Sequence, residues 1–170
     1  FTLTVMTAFT QASLPHVHRW TYTAGANEVS IVLPDGCVDL VVLSCDRTGR
    51  EVFHTTDWDF APRLVKLNAG TCLTGYRLRP GTTLDLAEFE PADHDVSNLE
   101  AEIEANTRHD QEVSEIIEAL CLSGNSVRCL ARQQGVSERT LQRRFKDLSL
   151  PSPAFWRQLG RARRAVQALP

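Results

Sequence analysis

The stretch SVRCLARQQGVSERTLQRRFKDLSLPSPAFWRQLGRARRAVQAL, residues 126–169, decides how this chain is read. Ser126 is placed to N-cap a helix in which Val127, Leu130 and Ala131 share one face. Gly135 ends that helix, because glycine alone enters the left-handed conformation without steric cost. Ser137 caps a second helix that buries Leu141, Phe145 and Leu148 at steps of four and three, leaving Glu138, Arg139, Gln142, Arg143 and Lys146 outward. A third helix starts at Ser152-Pro153, where proline suits the first turn. Its expected apolar seam is Phe155, Leu159, Ala162, Val166 and Leu169, with Arg157, Arg161 and Arg164 as a second stripe. A short helix, a glycine turn and a second helix with an arginine- and glutamine-rich outer face describe a helix-turn-helix.

Charge divides the chain in the same place. Residues 126–170 hold ten Arg or Lys against Glu138 and Asp147, a net of +8. The first 125 residues hold 8 basic and 19 acidic groups, a net of −11, and the two together give the overall −3. A basic module on an acidic body fits phosphate binding at one end only. Nine of the ten basic residues are arginine, which favours planar, bidentate recognition over simple solvation of a helix face.

With 170 residues there is room for one ordinary domain or two small ones, and 42% hydrophobic and 23% charged residues place the chain among globular proteins. No apolar run approaches the ~20 residues that span a bilayer, and no charged-then-apolar leader is visible, so a cytoplasmic protein without membrane contact is expected. The five cysteines, Cys37, Cys45, Cys72, Cys121 and Cys129, form no close pair and read as reduced thiols. A redox-sensing role for Cys37 is the less favoured reading.

Residues 1–85 read mainly as strands: His16–Tyr22, Glu28–Leu33, Val38–Cys45, Arg50–Thr56, Leu64–Asn68 and Thr71–Arg79, punctuated by turns such as Pro34-Asp35-Gly36 and Asn68-Ala69-Gly70. Short strands at this spacing suggest a small antiparallel barrel or sandwich. Residues 86–111 are acidic and turn-rich, with Val96, Leu99 and Ile103 marking a short helix that leans on the body. Val113, Ile116, Ile117, Leu120 and Cys121 then follow an amphipathic helical pattern.

The run from Leu130 resembles the first DNA-binding helix-turn-helix of the AraC/XylS family of bacterial transcription regulators. The family's pattern is met by Leu130-Ala131, Gly135-Val136-Ser137, Arg139, Leu141, Arg143 and Phe145, and Ser152-Pro153 with Arg161–Ala165 resembles its linker helix. Upstream, Leu33–Val42 (LPDGCVDLVV) and Gly75–Gly81 (GYRLRPG) resemble the cupin-like amino-terminal domain of one group of these regulators, with His18, Arg19 and Trp20 a looser match to its first strand. The resemblance implies an α+β chain with three parts. Residues 1–90 form a β-rich cupin-like sensor or dimerisation domain, 91–111 an acidic linker, and 112–170 an all-α DNA-binding subdomain of helix-turn-helix plus linker helix. In the family a second helix-turn-helix follows. Because the sequence opens on Phe1 and stops at Pro170, a fragment of a longer regulator is expected, the alternative being a shortened form.

By position in the family motif, Arg139, Gln142 and Arg143 read bases, Arg bonding guanine and Gln adenine. Glu138 accepts from cytosine or favours the helix N-terminus. Arg144, Lys146 and the caps Ser126 and Ser137 suit phosphates, whereas Arg157, Arg161, Arg163 and Arg164 fit linker-helix solvation better. His16 and His18 would share a strand face, yet no Glu or later His completes a metal set, so no metal or cofactor is expected. No catalytic constellation emerges. Trp20, Tyr22 and Tyr76 are equally core or walls of an effector pocket.

The expected function is sequence-specific binding of promoter or operator DNA, with a small-molecule effector and a homodimer as further expected partners. Two alternatives stand beside it: a metal-dependent cupin-type enzyme, and a shortened interaction module that modulates full-length regulators. Effector, operator and sign of regulation are not legible in the sequence.

Overall fold

The computed structural model describes residues 16–45, 51–85, 99–122 and 125–168. The chain divides into two compact units, Phe1–Arg79 with Leu84–Thr107, and Pro80–Thr83 with Arg108–Pro170.

The first unit is built on strands β1 (Val17–Thr23), β2 (Glu28–Val32), β3 (Val38–Cys45), β4 (Glu51–Thr55), β5 (Arg63–Leu67) and β6 (Thr71–Leu78). These match the six strands read from the sequence to within two residues at each end. They form an antiparallel four-stranded sheet in the order β1-β6-β3-β4 and a separate antiparallel ribbon, β2-β5. Among the described residues no barrel closes, which corrects the barrel expectation. The reason is in the pairing: β2 bonds to β5, leaving β1 and β4 as sheet edges.

Strand alternation gives the sheet two apolar faces. One buries Val17, Leu40, Val42, Tyr76 and Leu78 beneath helix α1 (Leu99–Asn106), which contributes Leu99 and Ile103. The other packs Val41 and Leu73 with Trp20, Tyr22 and Leu43 against Val65 and Leu67 of the ribbon. The unit is therefore a stack of helix, sheet and ribbon.

Of the segment 91–111, residues 99–111 are described, and they are shared between the two units. Leu99 and Ile103, one helical turn apart, bury completely in the first unit, while Arg108 onward belongs to the second. The expected Val96 contact lies outside the described residues. Two three-residue strands that the sequence did not signal, β7 (Thr82–Leu84) and β8 (Thr107–His109), pair as a small ribbon.

The second unit contains α2 (Gln111–Leu122), α3 (Val127–Gln133), α4 (Glu138–Asp147) and α5 (Pro153–Gln167). Its core takes Val113, Ile116, Ile117 and Leu120 from α2, Leu130 and Ala131 from α3, Leu141 and Phe145 from α4, and Trp156 and Leu159 from α5. A Cβ on Gly160 would overlap the Cys121 backbone, so the glycine lets α5 pass directly over the end of α2. There the Arg164 guanidinium donates to the carbonyls of Cys121 and Leu122, which α2 itself leaves without partners.

The seam of α5 departs from expectation. Pro153, Trp156, Leu159 and Gly160 are buried, Phe155 is half-buried, and Ala162 and Val166 are exposed. The bulkier indole takes the inward position and its N–H donates to the Pro151 carbonyl at 3.0 Å. That turns the buried face one residue away from Phe155. Leu169 lies outside the described residues.

Candidate functional site

The turn between α3 and α4 is built from local bonds. Ser126 accepts from the Cys129 amide at 3.1 Å and fixes the start of α3. Gly135 (φ +67°) then reverses the chain while the Val136 amide returns to the Ala131 carbonyl at 2.9 Å. Ser137 starts α4, its hydroxyl accepting from the Thr140 amide at 3.1 Å. These bonds fix where α4 begins, and hence which way each of its side chains points.

Leu141 and Phe145 turn inward. Arg139, Gln142, Arg143 and Lys146, three and four apart, share the opposite, exposed face and together with Thr140 line one surface depression. Among the described residues no carboxylate pairs with Arg139, Arg143 or Lys146. The face is some 10 Å long over its two turns, the scale of a groove-inserted helix.

Three expected site residues are engaged within the unit. Ser137 is occupied as the cap. Glu138 faces Arg128 of α3 at 3.3 Å. Arg144 turns away from the Arg139 face: its Nη2 reaches both oxygens of Asp110 at 3.1 and 3.0 Å, and its Nη1 meets Glu112 at 2.8 Å. The Asp110 carboxylate also accepts from the Val113 amide at 3.0 Å, capping α2. Burial pushes the Asp110 carboxyl upward, but the Val113 amide and the Arg144 guanidinium outweigh it and hold it below the usual carboxylate range. The hydrogen bond to Glu112 leads in raising the pKa of Arg144. Arg144 thus ties α4 to the start of α2.

Sequence reasoning missed Thr140, although its place between Arg139 and Arg143 signals the same side of α4. It missed Asp110 and Glu112 as well. Nothing local links them to Arg144, since Asp110 and Arg144 are 34 residues apart.

In the first unit, the two upstream motifs converge on one network. Asp35 closes the Pro34–Cys37 turn by accepting from the Cys37 amide at 2.9 Å, and Arg77 Nη2 bridges Asp35 at 3.0 Å and Asp39 at 2.9 Å. Trp20 donates its indole N–H to Asp39 at 3.1 Å and lies flat against Gly75, where a Cβ would overlap the ring. Burial opposes the charge on Arg77, but Asp39 and Asp35 outweigh it and raise its pKa. Asp39 is 9% exposed, so this network is a structural knot within the sheet.

The remaining candidates are scattered. Tyr76 is core, Trp20 and Tyr22 pack between sheet and ribbon, and the Tyr22 hydroxyl donates to Glu28. His16 meets the Thr107 hydroxyl at 3.2 Å, while His18 and His54 are exposed. Among the described residues no group of three or more His, Cys, Asp or Glu side chains is placed to hold a metal ion, and no helix is long and apolar enough to cross a membrane. Cys37, Cys72, Cys121 and Cys129 are not joined in disulfides, and burial raises the pKa of Cys121.

No protein-family model, curated protein or solved structure matches the chain.

Proposed function

We propose that this chain is a sequence-specific DNA-binding transcription regulator of the AraC/XylS type, in which α3 and α4 form a helix-turn-helix and α4 enters the major groove. One observation carries the reading. Arg139, Gln142, Arg143 and Lys146 form a single outward face on a helix whose start is fixed by the Ser137 cap, and no carboxylate among the described residues takes up its cations. Arg139 and Arg143 offer paired donors to guanine O6 and N7, Gln142 the matching donor and acceptor to adenine, and Lys146 a point charge for phosphate. Thr140 adds a methyl and a hydroxyl to the same surface. Arg144 is reassigned from phosphate contact to positioning, because two carboxylates already hold its guanidinium.

In this reading the first unit is the cupin-like sensor of a bacterial cytoplasmic regulator, and its effector is a small molecule of unassigned class. The cupin-type enzyme gains no support from His16 or His18: one is bonded to Thr107 and the other faces outward.

Selection from a random-sequence duplex library tests the reading. A shared motif should enrich, and Arg143→Ala should relax preference at one base position of that motif by a factor corresponding to about 1–3 kcal/mol. A library that emerges unenriched would refute it.

A further inference from the structure

We propose that Lys146 is an acylation site fed by small acyl phosphates, which Arg139 and Arg143 hold by the phosphate. Nine of the ten basic residues in 126–170 are arginine, and Lys146 is the one side-chain amine among them. A guanidinium stays protonated and delocalised, whereas a lysine amine is the group that acyl donors modify. The charge on the outer face of α4 can therefore be changed at one position. The chain has one other lysine, Lys66.

Arg139, Gln142, Arg143 and Lys146 line, with Thr140, one open depression of about 380 Å³, room for a small phosphorylated molecule. The two arginines and the lysine are exposed, and among the described residues no carboxylate pairs with them. Asp147 borders the neighbouring depression, on the Arg144 side. An incoming phosphate therefore displaces no partner, and two guanidiniums about one turn apart can grip it. Arg143 precedes Lys146 by three positions, so their side chains are neighbours on the helix surface.

That adjacency selects the donor. In an acyl phosphate one oxygen separates phosphorus from the acyl carbon, so a phosphate seated on Arg143 sets that carbon beside the Lys146 amine. A thioester on a nucleotide carrier keeps its phosphates many bonds from the reacting carbon and gains nothing from the seat. In the step itself the neutral amine attacks the carbonyl carbon and the N–C bond forms. The C–O bond to phosphate breaks, inorganic phosphate leaves with the bonding pair, and the surplus amine proton passes to water. Nothing is oxidised or reduced. The guanidiniums stabilise the departing phosphate, and a neutral amide stands where there was a cation.

Lys66 is the internal comparison. It is exposed too, but it stands on the β2–β5 ribbon opposite Val29, and Arg63 on the same strand is already held by Asp59.

The site is tested without DNA, by mass spectrometry of the whole chain incubated with acetyl phosphate. Lys146 should acetylate roughly tenfold faster than Lys66. With acetic anhydride, which carries no phosphate, the ratio should fall toward one. Arg139→Ala/Arg143→Ala should remove the preference for Lys146 under acetyl phosphate. Equal rates at the two lysines, or a preference that survives with the anhydride or without both arginines, would overturn the proposal.

Only the consequence rests on the DNA-binding reading. Acetylation should lower the salt slope of duplex binding by about one and weaken binding severalfold. Lys146→Arg, compared with its own untreated form, should not respond to acetyl phosphate. A parent acetylated at Lys146 that binds with unaltered slope would overturn the regulatory role. Preferential acetylation in a chain that binds no duplex defeats the DNA reading alone; a duplex-binding chain whose two lysines react equally defeats this proposal alone.

Discussion

Arg77 on β6 and Asp39 on β3 face each other across neighbouring strands and share two hydrogen bonds of 2.9 Å, Nε to Oδ1 and Nη2 to Oδ2. Trp20 on the other neighbour of β6 donates to the same carboxylate. Removing the carboxylate strands the buried end of the indole N–H and leaves Asp35 as the one carboxylate still bridged to Arg77 in this network. Asp39→Ala should therefore cost about 3 kcal/mol, read as a fall in the urea midpoint of the sheet's circular dichroism. A loss below about 1 kcal/mol would show that water replaces the carboxylate freely.

Gly75 is required by its neighbour's ring. Gly75→Ala should cost about 1–3 kcal/mol because the new methyl overlaps the Trp20 indole. Adding Trp20→Val removes the ring, so the double variant should lose less than the two single losses added together. Additive losses would place the strain elsewhere.

Gly160 meets backbone, which cannot rotate away. Gly160→Ala should destabilise the helical unit by about 2 kcal/mol or more, since the added methyl runs into Cys121. Loss of helical circular dichroism on heating, several degrees below the parent, measures it.

The Asp110–Arg144 contact makes the helical unit acid-sensitive in one direction. The folded pKa of Asp110 lies below its ordinary value of 3.8, so its contribution is complete above that value and is lost as pH falls through the folded pKa. Between pH 5 and 2 the melting temperature of Asp110→Asn should fall less steeply than that of the parent. Parallel slopes would contradict this.

Regular elements were legible in the sequence because they follow local periodicity. Six strands, the amphipathic α2 and the caps Ser126, Ser137 and Ser152 are where spacing and turn chemistry place them. What escaped depends on residues far apart in the chain. The pairing of β2 with β5 leaves the sheet open, and no residue within either strand announces it. Arg77 and Asp39 stand 38 residues apart, so their motifs could be quoted but not joined. The adjacent aromatics Phe155 and Trp156 offered two apolar stripes about 100° apart on α5, and the close approach at Gly160 decides for Trp156. Likewise Arg144 reads as a phosphate contact until Asp110 and Glu112 are brought beside it.

The most direct test of the central claim is the salt dependence of duplex binding, followed by fluorescence anisotropy of labelled DNA with the whole chain. The parent should bind at low salt and lose affinity linearly in log–log form, with a slope near −0.9 per phosphate contact. The Arg139→Ala/Arg143→Ala pair should bind at least tenfold more weakly. Lys146→Ala should lower the slope by about one while keeping sequence preference. A parent that does not bind duplex DNA at low salt, or a double variant that binds as tightly as the parent, would show that the exposed face of α4 is not a DNA-reading surface.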